Sequence, residues 1–187
     1  MKSIDIMIQE HENIRRMLKV IRKYSYKVLL NEEIDYNDFY KIIDFIRNYS
    51  DKHHHMKEEK VLFKIMKENL PQFAKNGPIT GMLIEHDIAR LYILNLEKAL
   101  GEYKEGNDEK RLDIIANSIS YADLLNRHID KENTALYKFA EKLLPCDSKN
   151  KIDEQSEEIE KSANKKGTQD KYLKLLKELE DKISLRE

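Results

Sequence analysis

The sequence is short of nearly everything that marks a secreted, β-rich or membrane-spanning protein. It holds one cysteine in 187 residues, so no disulfide can form within the chain, which fits a reducing cytoplasm. Tryptophan is absent, and glycine (5) and proline (3) are scarce; with so few turn residues the chain is expected to be mostly helical. No apolar run approaches the ~20 residues of a bilayer span, and Met1-Lys2 opens onto a mixed segment rather than a secretory apolar stretch. Lys+Arg (34) and Asp+Glu (35) nearly cancel, so no basic field is available to hold nucleic acid. These absences predict a cytoplasmic protein with neither nucleic acid nor membrane among its partners. With a single thiol, any metal site must rest on histidine and carboxylate.

What is present is helical periodicity. Ile4, Met7, His11, Ile14, Leu18, Ile21, Ser25 and Val28 recur three and four apart, the seam of an amphipathic helix running to about Leu30, with Ser3 placed to cap it. A second helix, capped by Asp35 or Asn37, runs to about Asn69 ahead of Pro71. Asn76-Gly77-Pro78 opens a third, with the seam Ile79, Met82, His86, Ala89, Ile93, Leu96 and Leu100 and a stop near Gly106. The fourth runs from Asp108 to about Leu144, before Pro145, along Ile114, Ser118, Tyr121, Leu125, His128, Glu132, Leu136, Phe139 and Leu143. Four long helices with short connections predict an all-α fold, an up-down-up-down four-helix bundle over residues 1–145. The Lys-, Glu- and Ser-rich stretch 146–167 reads as a polar linker or frayed extension. Residues 168–187 regain a stripe at Tyr172, Leu175, Leu176, Leu179 and Ile183. That C-terminal amphipathic helix is free to dock on the bundle, to pair with a second copy, or to meet a protein partner.

The seams carry the chemistry. His11 and His86 each stand alone among apolar neighbours, and His128 and Glu132 lie one turn apart on the fourth seam. The run His53-His54-His55 is followed by Glu58 and Glu59, and its three rings cannot share one face. The stripe through Ile43, Ile46 and Ser50 selects His54 and Glu58 as the inward pair, with His55 and Glu59 the second choice. His55 continues from Asp44, Asn48 and Asp51, and His53 leads to Lys57, Lys60 and Lys64, so both are expected to be solvated. A lone histidine on a seam is more often a hydrogen-bonded core residue than a ligand. Four seams carrying such residues within roughly two turns of one height, at ~1.5 Å per residue, change that balance. Four imidazoles and two carboxylates in one core are costly without a partner. Two ions resolve the cost if each carboxylate bridges both and each ion takes two imidazoles. Mixed nitrogen and oxygen donors without thiolate suit iron or manganese. Tyr121, one heptad before His128, reads as core, and as a candidate to touch a ligand bound there.

Three phrases, His54-His-Met-Lys-Glu-Glu-Lys-Val-Leu-Phe63, Gly77-Pro-Ile-Thr-Gly-Met-Leu-Ile-Glu-His-Asp87 and His128-Ile-Asp-Lys-Glu-Asn133, together resemble the hemerythrin-like, or HHE cation-binding, domain. Within that family the chain is most similar to the domain of RIC-type iron-centre repair proteins. The resemblance spans residues 4–144. It implies a non-haem pair of iron ions bridged by oxo or hydroxo, with His11, His54, His86 and His128 as terminal ligands and Glu58 and Glu132 as bridges. Oxygen-carrying relatives place a fifth histidine one turn before the third-helix ligand; Met82 stands there, implying two histidines per ion. The expected ligands are dioxygen, peroxide or nitric oxide, in stress response or iron-centre repair, with chemistry on the metal and no protein nucleophile. The alternative is an oxygen or redox sensor signalling through the C-terminal helix.

Overall fold

In the computed structural model, residues 1–73 and 77–184 are described; Asn76 of the expected third-helix start and residues 185–187 of the expected C-terminal helix lie outside them. Six helices follow one another, and there is no strand among the described residues. α1 is Lys2–Leu29. α2 comprises residues 37–69 and changes gauge along its length. It is α-helical over Asn37–Phe45, opens into wider π turns over Ile46–His55 and Glu58–Leu62, and closes again over Phe63–Asn69. α3 is Pro78–Lys104. α4 comprises residues 110–143, with a π turn at Glu132–Leu136. α5 is Cys146–Lys165 and α6 is Thr168–Ser184.

Local chemistry explains most of the boundaries. Asp35 accepts the Asn37 backbone N–H at 3.0 Å, and Pro78 sits in the first turn of α3, where a missing N–H costs nothing. Gly106 takes φ 103° just past α3, a conformation open to glycine and strained for other residues. Ser3 does not cap α1 as expected; its hydroxyl donates to Asp153 of α5 at 2.5 Å.

Polar contacts fix the directions of the helices. Along α1, Met1, Arg15 and Val28 meet Glu141, Asp130 and Arg111 of α4, in reverse order. Tyr24 and Glu10 of α1 meet Asp38 and Lys57 of α2. Arg47 and Glu59 of α2 meet Glu97 and His86 of α3. Glu85 and Glu102 of α3 meet His128 and Lys110 of α4. Each neighbouring pair is therefore antiparallel, the up-down-up-down order expected from the short connections.

The stretch expected to be a polar linker is instead helix α5. Its inward positions are Ile152, Ser156, Glu160 and Ala163, all buried. The spacing is helical, yet two of the four residues are polar, so no apolar stripe was visible. α5 and α6 pack against α1, α2 and each other. The stripe of α6, Tyr172, Leu176, Leu179 and Ile183, is buried in the same apolar cluster as Ile14, Leu18, Phe45 and Tyr49. Of the three roles open to that helix, docking is the one realised, and its apolar face is already used within the chain.

The interior is divided. One apolar cluster takes in Ile14 to Val28 of α1, Ala89 to Leu100 of α3 and the α6 stripe. A second gathers Ile4, Met7, Leu62, Phe63, Met82, Leu136, Tyr137 and Ile152 near the other end. Between them along the helices lies a buried layer of histidine and glutamate.

Candidate metal centre

All six residues singled out from the seams are buried: His11, His54, His86 and His128 are exposed by no more than 1%, and Glu58 and Glu132 not at all. The rings form two pairs, with His11 and His54 centred 4.5 Å apart and His86 and His128 4.7 Å apart. Each carboxylate reaches across both. Glu58 Oε2 lies 3.7 Å from His54 Nε2 and 3.5 Å from His86 Nε2. Glu132 lies 3.3 Å from His11 Nε2 and 3.1 Å from His128 Nε2.

The far side of each ring is held in the same way. His54 Nδ1 meets Glu10 of α1, His86 Nδ1 meets Glu59 of α2, His128 Nδ1 meets Glu85 of α3, and His11 Nδ1 meets Asn133 of α4, each at 2.8 Å. Each of the four bundle helices α1–α4 thus orients the histidine of the next, and the fourth returns to the first. An Nδ1 facing an acceptor oxygen carries the ring proton, which leaves Nε2 with its lone pair turned inward. The inward atoms have little to meet. His11 Nε2, His54 Nε2, Glu58 Oε2 and both oxygens of Glu132 are buried without a hydrogen-bond partner among the described residues. His86 Nε2 and His128 Nε2 face each other at 3.0 Å, a repulsive contact unless a proton or a metal ion lies between them.

Charge balance makes the same demand. Burial opposes a charged ring, yet Glu132 overrides it at His128 and pushes that imidazole up to about 10. The imidazoles of His11 and His86 also stand above their ordinary value against burial, through Glu132 and Glu58 respectively. At His54 burial wins and holds the ring down. The two carboxylates draw positive charge into the layer, and a metal cation supplies it with donors already aimed. Two four-residue groups could each hold an ion: His11, His54, Glu58 and Glu132, and His55, Glu58, His86 and His128. Within each group one donor atom per residue lies within 4.8 Å of all the others.

Two expectations need correction. His53 and His55 are not solvated; they are 4% and 3% exposed. α2 is covered on more sides than a bundle helix ordinarily is. α5 lies over the face that carries His53, where the buried Lys57 ammonium contacts Glu10 and Glu160. On the opposite flank His55 stacks on His86, with ring centres 3.9 Å apart and planes 11° apart. The sequence also gave no notice of Tyr137, whose buried hydroxyl donates to Glu58 Oε1 at 2.5 Å and whose ring stacks on His11. The outer acceptors did leave a signal. Glu10, Glu59, Glu85 and Asn133 are each the immediate chain neighbour of one of the six inward residues. Tyr121 borders a cavity of about 100 Å³ together with Asp51, His55, His86 and Arg90, so it lies beside the layer rather than in it.

No helix of the described chain is long and apolar enough to cross a membrane. No curated protein and no solved structure matches the chain. The sequence profile of one family, the hemerythrin HHE cation binding domain, matches residues 2–140, a span that includes every residue of the buried polar layer. Taken with the fold and the imidazole–carboxylate layer, that match shows that the chain belongs to the hemerythrin HHE cation-binding family.

Proposed function

We propose that this is a non-haem di-iron protein that handles dioxygen, peroxide or nitric oxide, in stress response or iron-centre repair of the RIC type. His11 and His54 would hold one ion and His86 and His128 the other, with Glu58 and Glu132 placed within reach of both. The observation that carries the reading is the closed circuit of outer acceptors, which fixes all four imidazoles with Nε2 inward. Such acceptors set the tautomer and raise the basicity of histidine ligands. Bound iron supplies redox chemistry and open positions for a small ligand. The chain's own residues set the conditions for it. Tyr137 holds Glu58 through one oxygen and leaves the other turned to the layer. Leu62, Phe63 and Leu136, with Ile14 and Leu125 on the other side, keep bulk water away. Met82, one turn before His86, adds no imidazole.

The test is to reconstitute the purified chain with ferrous iron, count the metal, and record the absorption spectrum with azide, peroxide and nitric oxide. About two irons per chain are expected, and fewer than about one rejects the dinuclear reading. His54→Ala should lose iron.

A second reading, a redox sensor, is favoured by a buried polar path. Glu160 of α5 contacts Lys57, Lys57 contacts Glu10, and Glu10 bonds His54. A change of charge at the metal layer would then be felt at α5. Hydrogen exchange of α5 and α6 should differ between the oxidised and reduced iron-loaded protein; identical protection removes the sensor reading.

A further inference from the structure

We propose that His55 is a seventh protein ligand, placing three imidazoles on the ion held by His86 and His128 and two on the other. The inference rests on the di-iron reading and refines its ligand set. His55 belongs to the same compact donor group as Glu58, His86 and His128. Its ring is buried and lies parallel to that of His86 at 3.9 Å, an arrangement that turns two imidazole edges toward one point.

Its outer side repeats the pattern of the other four. Nδ1 faces Asp51 at 3.4 Å. That is longer than a hydrogen bond and leaves the atom without a partner among the described residues, so a small rotation of the ring completes the contact. Asp51 is itself held by Arg90, which bonds it at 2.6 Å and bonds Glu59 at 2.7 Å. Glu59 is the acceptor behind His86. One guanidinium therefore orients the outer partners of both stacked rings. The π turns of Ile46–His55 let consecutive residues serve different ions, His54 facing His11 and His55 facing His86. His11 and His54 would then be the only imidazoles holding the other ion.

The experiment uses the full chain reconstituted with ferrous iron and compares it with His55→Gln. Each ligated imidazole keeps an exchangeable N–H on its far nitrogen, and a paramagnetic ion shifts that proton far out of the ordinary NMR window. The wild type should show five such resonances, and His55→Gln, loaded at saturating iron, should show four. Full iron uptake with only four resonances in the wild type overturns the assignment of His55 and leaves the di-iron reading standing; so does loss of none in the variant. A wild-type chain that takes up no iron overturns both. Should His55→Gln fail to fold, the wild-type count decides alone.

Discussion

Removing the metal is the sharpest perturbation, because the structure sets its size. Five inward atoms, on His11, His54, Glu58 and Glu132, are buried without a hydrogen-bond partner among the described residues. Each such group costs roughly 1–3 kcal/mol, so the layer carries about 5–15 kcal/mol of strain, as large as the whole stability of a typical domain. Protons drawn onto His128 and water entering from the neighbouring cavity relieve much of this. If a third remains, stripping the metal costs roughly 2–5 kcal/mol, which for a chain of 187 residues lowers Tm by about 4–20 °C. Differential scanning calorimetry of iron-loaded and chelator-stripped protein reads the difference directly, with far-UV circular dichroism to confirm that the stripped chain is still folded. Two melting temperatures within about 2 °C of each other would refute the reasoning, because the layer would then be satisfied by its own protons and by water.

Three further outcomes follow from particular contacts. Tyr137→Phe deletes the donor to Glu58 and should cost about 1–3 kcal/mol in urea unfolding while iron content stays constant; an unchanged midpoint contradicts it. Lys57→Met leaves Glu10 and Glu160 buried without their shared cation. It should cost roughly 3–5 kcal/mol and alter the iron absorption bands through Glu10 and His54; a spectrum identical to wild type separates that path from the metal. Ending the chain after Pro145 removes the buried side chains of Ile152, Tyr172, Leu176, Leu179 and Ile183. At about 1.5–3 kcal/mol each, that is an upper bound of roughly 8–15 kcal/mol, so residues 1–145 alone should aggregate or fail to bind iron. A stable, iron-loading fragment would show that α5 and α6 are accessories.

Much of this is legible in the sequence, because the signals are local and periodic. A three-four seam interrupted by a single histidine is readable in α1 and α3, and His128 with Glu132 stands out on α4. His54 lies against His11, and His53 and His55 are buried beside it. What escaped was tertiary. Lys57, Lys60 and Lys64 look like one wet face, yet α5 crosses the first of them and leaves Lys60 and Lys64 exposed. No property of α2 alone announces that crossing. α5 itself was hidden because Ser156 and Glu160 occupy positions where an apolar residue signals burial. The three consecutive rings do point to different faces, and all are buried because α2 is covered on several sides: His53 lies beside Glu160 of α5, His54 against His11 and His55 on His86.

The circuit in which Glu10, Glu59, Glu85 and Asn133 each steady a ring on the following helix has a consequence for assembly. No helix hairpin on its own can present a finished donor set: α1 with α2 aligns His54 alone, and α3 with α4 aligns His128 alone. The last link, Asn133 to His11, closes only when the first and last staves meet. The full set of oriented donors is therefore reserved for the complete bundle, and a half-made chain emerging from synthesis offers a metal ion no preformed seat.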